Sequence, residues 1–196
     1  MAGGVSGRSH LFGSTLLIIG VLQFVILFLL ASYAYPSFGL GHSISYILYN
    51  SRYSDISEGV AGAALLIATP LISRKLKHLT SDLMFIFGIS SIGISVFTIA
   101  YGIIHVAISL ILMVSGIVMI ASTYDRVSAF GISSAALSAI SFVSLVIFLL
   151  SGRGTLLYGI SERLIIIPIL LWGIILAVRV AICKDQEPIS SRSRHS

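Results

Sequence analysis

An acid and a base stand side by side at the head of a long apolar run, as Glu162 and Arg163 in Tyr158-Gly-Ile-Ser-Glu-Arg-Leu-Ile-Ile-Ile-Pro-Ile-Leu-Leu-Trp172. A guanidinium presents a planar fork of donors that matches phosphate or carboxylate. A carboxylate accepts from a histidine or a backbone N–H. Neighbours on a helix point about 100° apart, so these two side chains cannot share one environment. One reaches water or a ligand while the other faces its own bundle. His42, Glu58 and His105 are the further residues whose types could join them in a ligand site. His42 and His105 with Glu58 or Glu162 also have the donor types of a three-ligand zinc site. No fixed-spacing motif supports that, and the expectation is a binding site with no catalytic residue, no metal and no cofactor. The plain alternative is that Glu162 and Arg163 are anchors at a membrane edge, where long charged side chains snorkel to water.

The elements that position these residues follow from composition. The chain is 57% hydrophobic and 10% charged, against about 25% charged in soluble domains. It reads as an all-α polytopic membrane protein, a bundle of six transmembrane helices. The net charge of +5 does not indicate nucleic acid, because the basic residues flank apolar segments rather than forming one stripe. Cys183 is the only cysteine, which excludes an internal disulfide and a CxxC motif.

A membrane-spanning helix needs about 20 apolar residues. The expected spans are 12–34, 58–73, 83–101, 104–122, 129–150 and 164–182, between an N-terminal segment 1–11 and a basic, disordered tail 184–196. The first is longer than the apolar core of a signal peptide, about 7–15 residues, and is expected to be retained. Residues 83–122 carry no Asp, Glu, Lys or Arg. As one helix they would reach about 60 Å, twice the hydrocarbon thickness, so they must fold back on themselves. Tyr101-Gly102, with His105 close behind, marks the turn. Glu58 is expected to open its helix, where the dipole favours an acid by about 0.3–1 kcal/mol.

With six crossings both termini share a side. Placing them in the cytoplasm puts nine basic residues inside (Arg8, Arg74, Lys75, Lys77, Arg126, Arg179, Lys184, Arg192 and Arg194) and three outside (Arg52, Arg153 and Arg163). That asymmetry follows the positive-inside rule. The outer side then holds the tyrosine-rich segment 35–57, in which residues 44–49 are expected to form a short interfacial helix. Two stripes of small and hydroxyl residues, Ser91–Ser95–Thr98 and Ser134–Ser138–Ser141, have helical spacing. They are expected to be packing faces, the first toward the span after the hairpin.

From residue 12 to residue 179 the chain resembles the membrane proteins grouped as domain of unknown function 998. The carriers are Tyr35-Pro36-Ser37-Phe38, Ile44-Ser45, the hairpin histidine His105, and Gly159-Ile-Ser-Glu162-Arg163-Leu-Ile-Ile-Ile-Pro168 with Trp172. Ser37 stands where that family usually has glycine, and Tyr46 where it has aspartate. The resemblance implies six helices and no established activity. The expected function is binding of a lipid headgroup or small anionic ligand in an outer-facing polar pocket, with membrane lipids as partners. A small transporter or proton-linked carrier, a lipid-modifying hydrolase, and a subunit of a membrane complex or homo-oligomer are the alternatives. Topology is testable first. In a variant lacking Cys183, a cysteine at residue 52 should react with an impermeant thiol reagent on intact cells and one at residue 77 should not. The reverse pattern would turn the proposed site inward.

Overall fold

The computed structural model describes residues 3–34, 40–50, 54–125 and 127–182. Seven α-helices run through them: α1 (Gly3–Ala34), the short α2 (Ile44–Asn50), α3 (Ser54–Ile72), α4 (His78–Val96), α5 (Ile103–Ser122), α6 (Ala129–Leu150) and α7 (Leu156–Ile182). Six of them, all but α2, are long and apolar enough to cross a membrane, and no strand occurs among the described residues. The protein is an all-α, six-helix membrane-spanning bundle. Isoleucine, leucine and phenylalanine remain exposed along the helices, as at Ile140, Phe142 and Leu150 of α6. In lipid that outer surface is solvated by acyl chains, and each helix satisfies its own backbone.

The helices close a ring in chain order. Each packs on the next from α3 to α7, α1 packs on both α3 and α7, and α5 also touches α7. The core inside holds Met84, Ile120, Ile165 and Trp172. At one end Lys77 Nζ donates to the carbonyls of Ser122 and Tyr124, which helps satisfy the last turn of α5. At the same end Trp172 Nε1 donates to Thr123 Oγ1 at 3.1 Å. The other end gathers α2, the 97–102 turn and the 151–155 turn.

Five helix ends fall away from the expected spans: α1 and α4 begin early, at Gly3 and His78 instead of 12 and 83, and three further ends depart from 58–73, 83–101 and 164–182. α3 begins at Ser54, so Glu58 lies inside the helix instead of opening it. α4 stops at Val96 because Thr98 is extended and Gly102 has φ +56°, and the whole segment 97–102 turns the chain. α7 begins at Leu156: Gly154 has φ +80°, a conformation that favours glycine, and Thr155 Oγ1 then caps the helix by accepting from the Tyr158 N–H. Tyr158, Glu162 and Arg163 are therefore helical. The segment 184–196, Arg126, Arg52 and Tyr35–Phe38 lie outside the described residues.

Both serine stripes pack, the first on α3 rather than on the span after the hairpin. Ser91 Oγ donates to the Glu58 carbonyl of α3 at 2.7 Å, and Gly59 of α3 lies against Ser95 Oγ. Ser138 Oγ donates to Ile117 O of α5 and Ser141 Oγ to Ile165 O of α7. Thr98 lies beyond the end of α4. Helices α3 and α4 meet glycine on glycine: a Cβ on Gly62 would come within 2.7 Å of the Gly88 carbonyl oxygen. Such contacts let van der Waals attraction hold helices together where lipid gives no hydrophobic drive. Gly62→Val should therefore cost about 1–3 kcal/mol and lower the thermal midpoint in detergent, whereas lipid-facing Val60→Leu should not. Equal midpoints would contradict the close α3–α4 crossing.

Candidate functional site

The site is built where a strap of chain crosses the head of α7. Residues 40–43 run over Gly159, where an added Cβ would come within 2.0 Å of the Leu40 carbonyl oxygen. Only a residue without a side chain admits the strap at that point. Next in the chain, Ser43 starts α2 as an N-cap, its Oγ accepting from the Tyr46 N–H at 3.0 Å. Ile44, Ile47 and Leu48 of α2 are buried against Ala31, with Phe24, Phe28 and Ile166 around them. The 44–49 segment expected at the interface is thus docked on the bundle along its apolar side.

Glu162 and Arg163 fasten this strap. The Glu162 carboxylate accepts the N–H of Ile44, the first residue of α2. That N–H is an orphan donor of the helix, and an anion there also meets the positive end of the helix dipole. Arg163 Nη1 donates to the carbonyls of Leu40 at 3.0 Å, His42 at 3.1 Å and Gly159 at 2.7 Å. The guanidinium carbon lies 5.9 Å from the Phe28 ring centroid. Glu162 is only 4% exposed, so its charge depends on such donors: a buried carboxylate without them costs several kcal/mol.

Two cavities meet at Glu162. The outer one, of about 570 Å³, lies under the strap and takes in His42, Tyr46, His105, Arg153, Tyr158 and Glu162. The inner one, of about 100 Å³, is lined mostly by apolar groups of α1, α3, α4, α5 and α7, with Glu58 and Glu162 at its polar end and Trp172 toward the other. Ser109 and Met113 border both. Ser109 Oγ is buried and has no hydrogen-bond partner among the described residues.

The five residues chosen from sequence separate by role. His42, His105 and Glu162 line the outer cavity. The His42 ring stacks on Tyr46 with centroids 5.0 Å apart. His105 Nδ1 lies 2.8 Å from the Phe97 carbonyl; a carbonyl only accepts, so this nitrogen carries the proton and closes the α4–α5 turn. Glu58, 8% exposed, lines the inner cavity with Glu162. Arg163 borders neither cavity. All three of its carbonyl contacts use one nitrogen, so the planar fork is not what the strap requires. Among the described residues no three of His, Cys, Asp and Glu group so as to hold a metal.

Arg153, Tyr158 and Ser109 escaped the sequence reading. Arg153, which the sequence offers only as one of three outer basic residues, is, among the described residues, the one arginine or lysine in the cavity lining. The available signal was Thr155: as an N-cap it extends α7 upward, which carries Tyr158 and the Gly-Arg-Gly turn to the cavity. The strap gives a direct test. Arg163→Met removes the charged donor from three carbonyls and should destabilise by about 1.5–3 kcal/mol, while Arg163→Lys should keep most of the parent's thermal stability. A lysine variant as damaged as the methionine one would contradict a point-charge role.

Comparisons with family models, with curated proteins and with solved structures gave no match. The chain is a polytopic membrane protein with six long apolar helices.

Proposed function

We propose that the protein binds a lipid headgroup, or a small anionic molecule of that kind, in the cavity beneath α2. The carrying observation is that polar side chains from separate segments meet in one space: the strap, the head of α5, and the α6–α7 turn with the head of α7. Ligand sites have volumes of about 300–1,000 Å³ and combine apolar walls with a few placed polar groups. Leu110, Met113 and Leu149 give this cavity its apolar wall. Arg153, exposed in its turn, stands at the mouth with donors suited to phosphate. Ser109 lies deeper, and its buried hydroxyl favours a polar guest because an unmet one costs about 1–3 kcal/mol.

In this reading Arg153, His42 and His105 contact the ligand, Glu162 and Arg163 hold the wall that covers it, and Glu58 belongs to the polar layer between the cavities. The cavity faces outward if the basic residues set the orientation, with both termini cytoplasmic. The order of the sequence motifs is the support for a kinship with domain of unknown function 998, which no family model match accompanies. A proton-linked carrier is the second reading, favoured by two buried carboxylates, Glu58 and Glu162, on one apolar cavity, since acids within membrane helices often mark ion paths.

Native mass spectrometry of the protein purified in mild detergent tests the first reading. The parent should retain lipid at about one molecule per chain, and Arg153→Gln should lose it at unchanged thermal stability. Lys75→Gln, at the opposite end, should retain it. An Arg153→Gln protein as lipid-loaded as the parent would overturn the assignment.

A further inference from the structure

The inner cavity has a different character from the outer one. Leu17, Val21, Phe24, Leu65, Leu112 and Ile169 line it from α1, α3, α5 and α7. Its lining runs from Ser109 to Met119 along α5 and from Glu162 to Gly173 along α7, a depth of about 15 Å at the rise of an α-helix. Its volume is only about 100 Å³, so it is a narrow slot rather than a round hollow. Buried Trp172 stands toward the deep end, held by its bond to Thr123 Oγ1. Water is poorly served in such a space, because a buried water needs several polar partners. The lining of an unfilled slot forgoes dispersion contacts, which an apolar guest restores. The polar groups of the lining have other work: Ser91 donates to the Glu58 carbonyl, and Glu162 accepts from the Ile44 N–H. A narrow apolar slot of this depth fits an alkyl chain better than a ring system.

The slot is continuous with the polar cavity at Ser109 and Met113, which border both. Methionine is unbranched and polarizable, and it adapts to an irregular guest. Ser109 Oγ is buried without a hydrogen-bond partner among the described residues. A hydroxyl placed where polar space gives way to apolar space suits the linkage of a lipid, whose ester carbonyl accepts one hydrogen bond at that depth. We infer that the ligand carries an acyl chain that passes Ser109 and Met113 and lies in the inner cavity as far as Trp172, with its ester carbonyl on Ser109 and its phosphate on Arg153. This inference rests on the headgroup-binding reading and extends it: the protein takes one chain out of the bilayer, and the depth of the slot measures that chain. A monoacyl phospholipid supplies this chemistry whole. A diacyl phospholipid supplies it with its second chain left among the lipids outside.

The test loads the full chain, delipidated in detergent, with glycerol phosphate, with lysophosphatidylglycerol bearing a decanoyl, tetradecanoyl or octadecanoyl chain, and with phosphatidylglycerol, and reads the bound mass by native mass spectrometry. The tetradecanoyl form should be retained about tenfold or more over glycerol phosphate, a factor that a few buried methylenes supply. Leu17→Phe and Gly173→Ala narrow the slot and should shift the preference toward the decanoyl chain by about three- to tenfold. A Cβ on Gly173 would lie 3.6 Å from Val21 Cγ2, an ordinary contact, so that variant should fold. A preference between chains, read within one variant, is not mimicked by partial unfolding. An unchanged chain preference in both variants overturns the inference. Glycerol phosphate retained as well as the lysolipids, and lost in Arg153→Gln, also overturns it and leaves the headgroup reading standing. Lysolipids retained by Arg153→Gln, with Leu17→Phe still shifting the preference, support the chain and overturn the headgroup reading. Phosphatidylglycerol retained beside the lysolipids supports the inference with a bilayer lipid as the source, and lysolipid retained alone supports it with a monoacyl one. No retention of any probe overturns both.

Discussion

The N–H of Ile44 opens a helix and so has no partner within that helix; the carboxylate of Glu162 accepts it from across the bundle. Much of the end that bears the cavities depends on this contact. α2 is only seven residues long, and a helix that short is unstable by itself in water. It is held by three means: the Ser43 cap, the Glu162 carboxylate, and burial of Ile44, Ile47 and Leu48. Arg163 then fixes the strap that leads into it. The acid and the base do not need each other as a salt bridge to be useful. One terminates the donors of α2, and the other terminates the carbonyls of the strap.

The same contact organises the two cavities. Ile44 lines the inner one, while Gly41, His42, Ser43 and Tyr46 line the outer one. Removing the strap would merge both with the surroundings and leave Glu162 without this donor. Glycine makes the arrangement sterically possible at Gly159, beneath the strap, and at the Gly62–Gly88 crossing. Several serine hydroxyls return hydrogen bonds to backbone carbonyls on neighbouring helices, as Ser91 does to Glu58, Ser138 to Ile117 and Ser141 to Ile165.

The bundle was legible in the sequence because lipid imposes a simple rule: about 20 apolar residues for each crossing. Charge marked the ends less well. A charged residue is tolerated inside a helix when it has a buried partner, so Glu162 and Arg163 fell before the expected start of a helix that in fact contains them. Turn chemistry at Gly154-Thr155 located that start better. Residue type alone singled out His42, His105 and Glu162, which line one cavity. Arg153 was missed because an arginine in a glycine turn looks like any exposed loop cation, and only the fold brings that turn to the cavity. The roles of Arg163 and Glu58 depended on a strap and a helix start that periodicity does not show.

Glu162 and Arg163 hold α2 and the strap down, and amide hydrogen exchange over residues 40–50 reads that most directly. In the parent these amides should exchange slowly, at a rate comparable with the heads of α5 and α7. In Arg163→Met they should exchange much faster, while the Gly62–Gly88 region of α3 and α4 stays protected. Equally slow exchange across residues 40–50 in parent and variant would show that apolar burial alone holds the strap, and would contradict the central role given to the pair.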